Sequence, residues 1–210
     1  MPALPDLLQP GLTLVMVGFN PGLMSWQQGH YYANPRNYFY PLMHKYGITP
    51  RLFAPHEDVQ LPSVGIGMVD VLKEPSARSS DIPSKVFVAG RDVLIVKLEK
   101  AKPRIVCFNG AGIYSIVFGR TCKYGMQEER IGGAPLYVVP STSPANNGKW
   151  QERERCFAEL GEMVRREQML GNNLTPSTSW IPPLRRRRGA KRRCGIVEAL
   201  KITPKGKPRR

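Results

Sequence analysis

The segment Gly18-Phe19-Asn20-Pro21-Gly22 puts a neutral carboxamide directly after the apolar run Thr13 to Val17. Two glycines permit close backbone approach there, and the proline stiffens the turn. An amide is a poor base, so Asn20 can serve a reaction by holding a water or a polar group in place. The same turn could also cradle a phosphate, or be a plain corner between strand and loop. Against a nucleotide-handling enzyme of that kind, no lysine follows the turn and no GxGxxG spacing is present. Other polar groups recur along the chain at Tyr32, Asn37, Asp70 and the turn Pro140-Ser141-Thr142-Ser143-Pro144. His30, His44 and His56 lack ligand spacing, and Cys107, Cys122, Cys156 and Cys194 are too far apart for a metal knuckle, so neither metal nor cofactor is expected.

These residues need a scaffold that brings them together. Thr13 to Val17 (TLVMV) reads as a strand buried on both faces, and Arg104 to Phe108 and Leu136 to Val139 read as two more. Phe39, Leu42, Met43 and Tyr46 fall at helical spacing between Pro35 and Tyr46, with Gly47 as a stop. The next stretch, rich in Pro, His and charge, reads as a loop. Pro83 opens a second helix carrying Phe87, Leu94 and Leu98, with Val88 and Ile95 beside them, as far as Lys100. A short helix follows over Ile113 to Phe118, and Trp150, Phe157, Leu160 and Val164 mark one face of a long final helix. This alternation predicts an α/β fold, a three-layer αβα sandwich around a central, mostly parallel sheet of about four to five strands. Ligand chemistry in such sheets gathers at the carboxyl ends of strands. Both GFNPG and PSTSP stand at such ends.

The 210 residues carry a formal charge of +15 at pH 7, which makes a polyanion the first partner to consider. Most of it is local. Leu184 to Arg210 holds twelve basic residues against Glu198, a net +11 (twelve minus one), which leaves +4 for everything before it. Residues 1–170 read as one domain and 171–210 as a linker and basic tail without stable structure, beginning with GNNLTPSTSWIPP. No amino-terminal signal-like segment and no long apolar run is present, so free thiols in a reducing compartment and no membrane span are expected.

Read in full, GFNPGLMSWQQGHYYANPRNYF resembles the first active-site motif of the mismatch-specific uracil and thymine DNA glycosylases. The likeness continues through GIGMVDVLKEPSARSSDIPSKVFVAGRDVLIVKLEKAKPRIVCFNGAGIY and PSTSP, covering Leu7 to Leu170 and excluding the tail. It implies a uracil-DNA glycosylase-like fold and an enzyme that hydrolyses the bond between a flipped base and its deoxyribose. Asn20 then matches the asparagine that orients the attacking water, and backbone N–H groups around Phe19 become donors to the departing base. The pocket it implies comprises Gly18, Phe19, Gly22, Tyr32, Asn37 and Ser141, with Tyr32 matching the aromatic that stacks on the base. Asp70 departs from the pattern, since the family offers an amide or a lysine there. A carboxylate at Asp70 could accept the N3–H of uracil or act as a second water-activating base, and either role predicts a raised pKa; a solvated loop carboxylate is the alternative.

Ser143, Pro144, Ala145 and Asn146 match the loop that enters the minor groove and fills the gap left by the flipped nucleotide. Ala145 is too small to fill it; either Asn146 or Asn147 substitutes, or mismatched pairs that open cheaply are preferred. Nothing places the Lys73 amine at the sugar, so a monofunctional enzyme leaving an abasic site is expected. Its partner would be double-stranded DNA with mismatched or damaged bases, bound by a monomer. A binding protein on the same scaffold that recognises damage without cutting is the rival. Arg185, Arg186, Arg187, Arg188, Lys191, Arg192 and Arg193 read as a non-specific DNA clamp and a nuclear signal, implying the nucleus in a eukaryote and otherwise the cytoplasm with the nucleoid.

Overall fold

The computed structural model describes residues 3–75 and 84–172. Gly171 and Asn172, expected to open the linker, instead end the final helix, Trp150–Asn172; the rest of the linker and basic tail, and Pro83, lie outside the described residues. Five strands form one sheet: β1 (Leu14–Gly18), β2 (Ile66–Asp70), β3 (Ile105–Asn109), β4 (Gly125–Ile131) and β5 (Ala134–Val139), in the order β2-β1-β3-β5-β4. β1, β2, β3 and β5 are mutually parallel, and only β4 runs antiparallel, against β5. The fold is therefore α/β with a mostly parallel central sheet, as the alternation of elements predicts.

Side chains along the parallel strands alternate between two separate cores. Leu14, Met16, Ile105, Cys107, Tyr137 and Val139 face the helices α2 (Phe39–Lys45) and α5 (Trp150–Asn172). Val15, Val17, Val106, Phe108, Leu136 and Val138 face α3 (Ser84–Ala101) and α4 (Ala111–Phe118). Covering both faces is what allows these strands to be apolar throughout. The helix spacing read from the sequence appears as packing: Phe39, Leu42 and Met43 of α2, Leu94 and Leu98 of α3, and Phe157, Leu160 and Val164 of α5 are all at or below 1 % exposure. Trp150 does not join them. It opens α5 at 42 % exposure and meets Tyr38 edge-on instead.

Two strands and three short helices escape the sequence reading, the last of them a 3₁₀ helix over Pro144–Lys149. β2 is short and holds Gly67, where an added Cβ would meet the Leu7 carbonyl at 2.8 Å. That glycine lets the amino-terminal segment cross the strand and pair with its free edge, through Leu7 N–H to Met68 O and back, at 2.9 and 3.1 Å. β4 (GMQEERI) is an exposed edge strand with charged side chains, which blunt further pairing. The stretch expected to be a loop after Gly47 contains a 3₁₀ helix, Pro55–Val64, whose start is capped by the Glu57 carboxylate accepting the Ala54 N–H at 2.8 Å. α1 (Leu23–Gln28) is only six residues long and follows Gly22 directly. Among the described residues, Cys107, Cys122 and Cys156 are free thiols, and no helix is long and apolar enough to cross a membrane.

The chain turns from β1 outward to β2, then returns to the other side of β1 as β3. That reversal opens a crevice beyond the carboxyl ends of the strands. The helical layer on one face of the sheet is held by a close contact of α5 with the end of α2. A Cβ at Gly161 would enter the Tyr46 carbonyl, which also accepts Arg165 Nη1 at 2.9 Å. Alanine is the better helix former by about 1 kcal/mol, yet Gly161→Ala is expected to destabilise the protein by about 1–3 kcal/mol through overpacking. Urea unfolding checks this, and a stability equal to or above that of the parent contradicts the close-packing account.

Candidate active site

Each of the four parallel strands delivers a polar residue to the crevice. Gly18 and the turn to Asn20 leave β1, Asp70 ends β2, Asn109 ends β3, and Ser141 and Thr142 follow β5. Together with Phe19, Pro21, Gly22, Tyr32, Asn37, Ser143 and Pro144 they line one cavity of about 720 Å³. An adjoining groove shares Asn34, Asn37, Ser143 and Pro144 with that cavity and runs out past Arg36, Tyr38 and Ala145.

The floor is set by strand register. Gly18 stands opposite Asp70 across the β1–β2 pair. An added Cβ at Gly18 would collide with Asp70 Oδ1 and lie 3.4 Å from the Tyr32 hydroxyl, so glycine is what leaves room for a carboxylate at this point. Asp70 is 6 % exposed, which overturns the reading of it as a solvated loop residue. Burial pushes its carboxyl up to about 7; the Lys73 ammonium opposes this shift and Asp6 adds to it. At neutral pH the group is therefore divided between acid and carboxylate. Gly22 differs from Gly18: its φ is −65° and an added Cβ would meet nothing, so the fold itself does not demand glycine there.

Asn20 is oriented by a hydrogen bond, its Nδ2 donating to the Glu74 carbonyl at 3.1 Å. The β1–β2 ladder continues alongside, with Val71 N–H to Gly18 O at 3.1 Å and Leu72 N–H to Phe19 O at 3.0 Å. The turn is thus fastened to the segment beyond β2 at three successive residues. Phe19 packs its ring against Phe87 of α3 at 5.3 Å while belonging to the cavity wall.

Tyr32 has a φ of +53°, a left-handed conformation that costs a side-chain-bearing residue about 1–2 kcal/mol. Its neighbours on both sides impose it. The Tyr31 N–H donates to Asp58 Oδ2 at 2.8 Å, and the Ala33 N–H donates to Ser25 Oγ at 3.0 Å. Asp58, buried at 2 % exposure, also bonds His30 Nδ1 at 3.0 Å. The Tyr32 ring lies flat on Phe39, centroids 4.0 Å apart and planes 19° apart, so a ligand can stack only on the opposite face. Burial first, then the Asp70 carboxylate, hold the Tyr32 phenol protonated above its ordinary range.

Asn109 and Thr142 form a reciprocal pair that the sequence reading missed. Asn109 Nδ2 donates to Thr142 Oγ1 at 2.9 Å and the Thr142 N–H donates to Asn109 Oδ1 at 3.0 Å. They tie the end of β3 to the loop after β5. The signal was present: like Asp70, Asn109 is a polar side chain closing an apolar strand. Asn37 Oδ1 accepts the Phe39 N–H at 3.0 Å, so it holds the turn leading into α2 and also lines the cavity. Ser143 and Pro144 line the cavity, whereas Ala145 lines only the groove. The Asn146 amide turns back to the Ser141 carbonyl at 3.4 Å. Lys73 does not line the cavity; its ammonium pairs with Asp6, which also receives Lys97 at 2.6 Å. The basic run Arg185 to Arg193 lies outside the described residues.

Chemically, the cavity offers an oriented amide, a buried carboxyl whose pKa is raised, an aromatic face and a ring of strand-end backbone, all partly withdrawn from water. A comparison with known families finds a match over residues 5–165 to the uracil DNA glycosylase superfamily. The matched region contains every cavity residue except Leu4.

The raised Asp70 pKa links the site to stability. A carboxyl whose folded pKa exceeds its unfolded value favours the fold most at low pH, and that contribution is lost as pH rises from about 4 through about 7. Asp70→Asn is accordingly expected to raise the thermal midpoint at about pH 8, with the gain shrinking as pH falls towards about 4. A gain of the same size at both pH values, or none at either, contradicts an enclosed carboxyl held near 7.

Proposed function

The chain belongs to the uracil DNA glycosylase superfamily, and from that premise we propose that it is a monofunctional, mismatch-specific enzyme that hydrolyses the N-glycosidic bond of a flipped uracil or mismatched thymine in duplex DNA and leaves an abasic site. The observation that supports it most is the placement of Asn20. Its carboxamide is fixed by Glu74 on the wall of a cavity shared with Tyr32 and Asp70. The transition state of such a reaction is a dissociating, oxocarbenium-like sugar, for which a positioned water and charge stabilisation lower the barrier more than a strong base does. In this proposal Asn20 holds the water under the sugar, and Tyr32 stacks on the base with its face away from Phe39.

Asp70 meets the edge of the base. In its protonated form it donates to a base carbonyl, which favours departure of the base as an anion; ionised, it would repel the same charge. Lys73 pairs with Asp6 beside Tyr31 and does not itself line the cavity, which supports hydrolysis without a lysine adduct and so without strand cleavage. The basic run Arg185 to Arg193 serves as a sequence-independent clamp on duplex phosphates and, in a eukaryotic cell, as a nuclear signal.

Duplexes carrying uracil, thymine opposite guanine, hypoxanthine or xanthine, followed by detection of alkali-labile sites, test the activity. Asn20→Ala is expected to lower the single-turnover rate by at least about a hundredfold while duplex binding stays within about threefold. Normal turnover by that variant removes Asn20 from the chemistry, and tight mismatch binding with no abasic product from the parent favours a damage-binding protein instead. Truncation after Leu170 is expected to weaken duplex binding and flatten the dependence of log K on log salt. An unchanged slope rules out the clamp.

A further inference from the structure

Arg153 of α5 is a guanidinium at 0 % exposure, with no acidic partner within ion-pair distance among the described residues. Its Nε donates to the Ser141 carbonyl at 3.1 Å and its Nη2 to the Asn146 carbonyl at 2.6 Å. The aromatic rings of Tyr38 and Trp150 flank it at 5.2 and 5.8 Å. Nη1 is buried and has no hydrogen-bond partner among the described residues. Withdrawing a cation from water without a counter-charge is unfavourable, and an apolar side chain of similar volume on the same helix face would serve the fold at least as well. The unusual element is the geometry: one rigid fork joins two carbonyls five positions apart.

The Ser141 carbonyl lies just after β5, and the Asn146 carbonyl lies within the 3₁₀ helix Pro144–Lys149 that completes the loop between β5 and α5. Between them Thr142 is held by Asn109 and by the Tyr38 N–H, which donates to its carbonyl at 3.1 Å, and Ser143 and Pro144 form part of the cavity wall. Arg153 therefore closes the loop into a single stiff unit, and Tyr38 joins that unit to the segment leading into α2. A loop that must press into a duplex when a nucleotide leaves the stack gains from such stiffness, because its own ordering need not occur at that moment.

We infer that Arg153 is a positioning residue for nucleotide eversion: by bridging the Ser141 and Asn146 carbonyls it holds the loop in the shape that stabilises the opened duplex. The inference rests on the glycosylase reading above. Arg153 acts through the loop backbone, so its contribution is needed where the base has to be unpaired and unstacked, and is dispensable where the base is already free.

The test compares single-turnover release of uracil from two duplexes of identical flanks, one with uracil opposite guanine and one with uracil inside an unpaired bubble. Arg153→Met, close in volume and apolar, is expected to lose about tenfold or more on the paired substrate and less than about threefold on the bubble. Arg153→Lys, which keeps the charge but cannot span both carbonyls, is expected to follow Arg153→Met. Thermal midpoints are taken first, with rates measured well below them, and if Arg153→Met does not fold, the lysine variant carries the comparison. Equal losses on the two substrates, no loss on the paired one, or full rescue by lysine overturns the inference. Failure of the unsubstituted protein to release uracil from either substrate overturns the glycosylase reading first, and this inference with it.

Discussion

A carboxylate rests against a glycine where β1 and β2 end side by side. The register that sets Gly18 opposite Asp70 leaves no room for any other side chain at position 18, and Asp70 is almost fully buried at the cavity floor. Both consequences have one origin. A buried carboxyl at the end of a parallel strand is tolerated because the adjacent strand contributes only backbone, and its pKa rises because neighbouring charges offset little of the lost hydration. The Tyr32 hydroxyl shares the same small space, which makes this corner the point from which the rest of the cavity is measured.

Around it, the fold uses hydrogen bonds between elements rather than within them. Asn20 is tied to the segment after β2, Asn109 to the loop after β5, and the turn carrying Tyr32 to Asp58 and Ser25. Each such bond contributes about 1 kcal/mol to stability on average. Their larger effect is on geometry: loops that would otherwise sample many conformations are fixed to a rigid sheet, and polar groups from four strands hold constant separations. The left-handed Tyr32 shows the direction of this trade, with local strain sustained by two anchored neighbours.

Much of this was legible in the chain. β1, β3 and β5 are continuous apolar runs, and a run of that kind has few folds open to it other than a doubly covered sheet; the helices on both faces followed from their spacing. Asn20 stood out because a carboxamide between glycines and a proline is an uncommon way to leave a buried strand. Asp58 and Arg153 were not legible, because their roles arise from contacts between segments far apart in sequence, and a buried arginine without an acid partner looks on paper like any surface charge of an amphipathic helix. β2 was hidden by its glycine and by Asp70, the features that make it useful. β4 was hidden because an edge strand needs polar residues to stay unpaired.

The superfamily match, the cavity at the strand ends and the basic sequence of the tail are consistent with the proposed action on one base of a DNA duplex. In the proposed reaction the protonation state of Asp70 sets the rate, since a neutral acid stabilises a departing anion and a carboxylate does not. The most direct measurement is the single-turnover rate of uracil release between about pH 5.5 and about pH 8.5, for the parent and for Asp70→Asn. The account predicts a parental rate that falls as pH rises through about 7 and a variant whose rate is flat across that range. A rate that climbs through the same interval, or an identical profile in the variant, would contradict it.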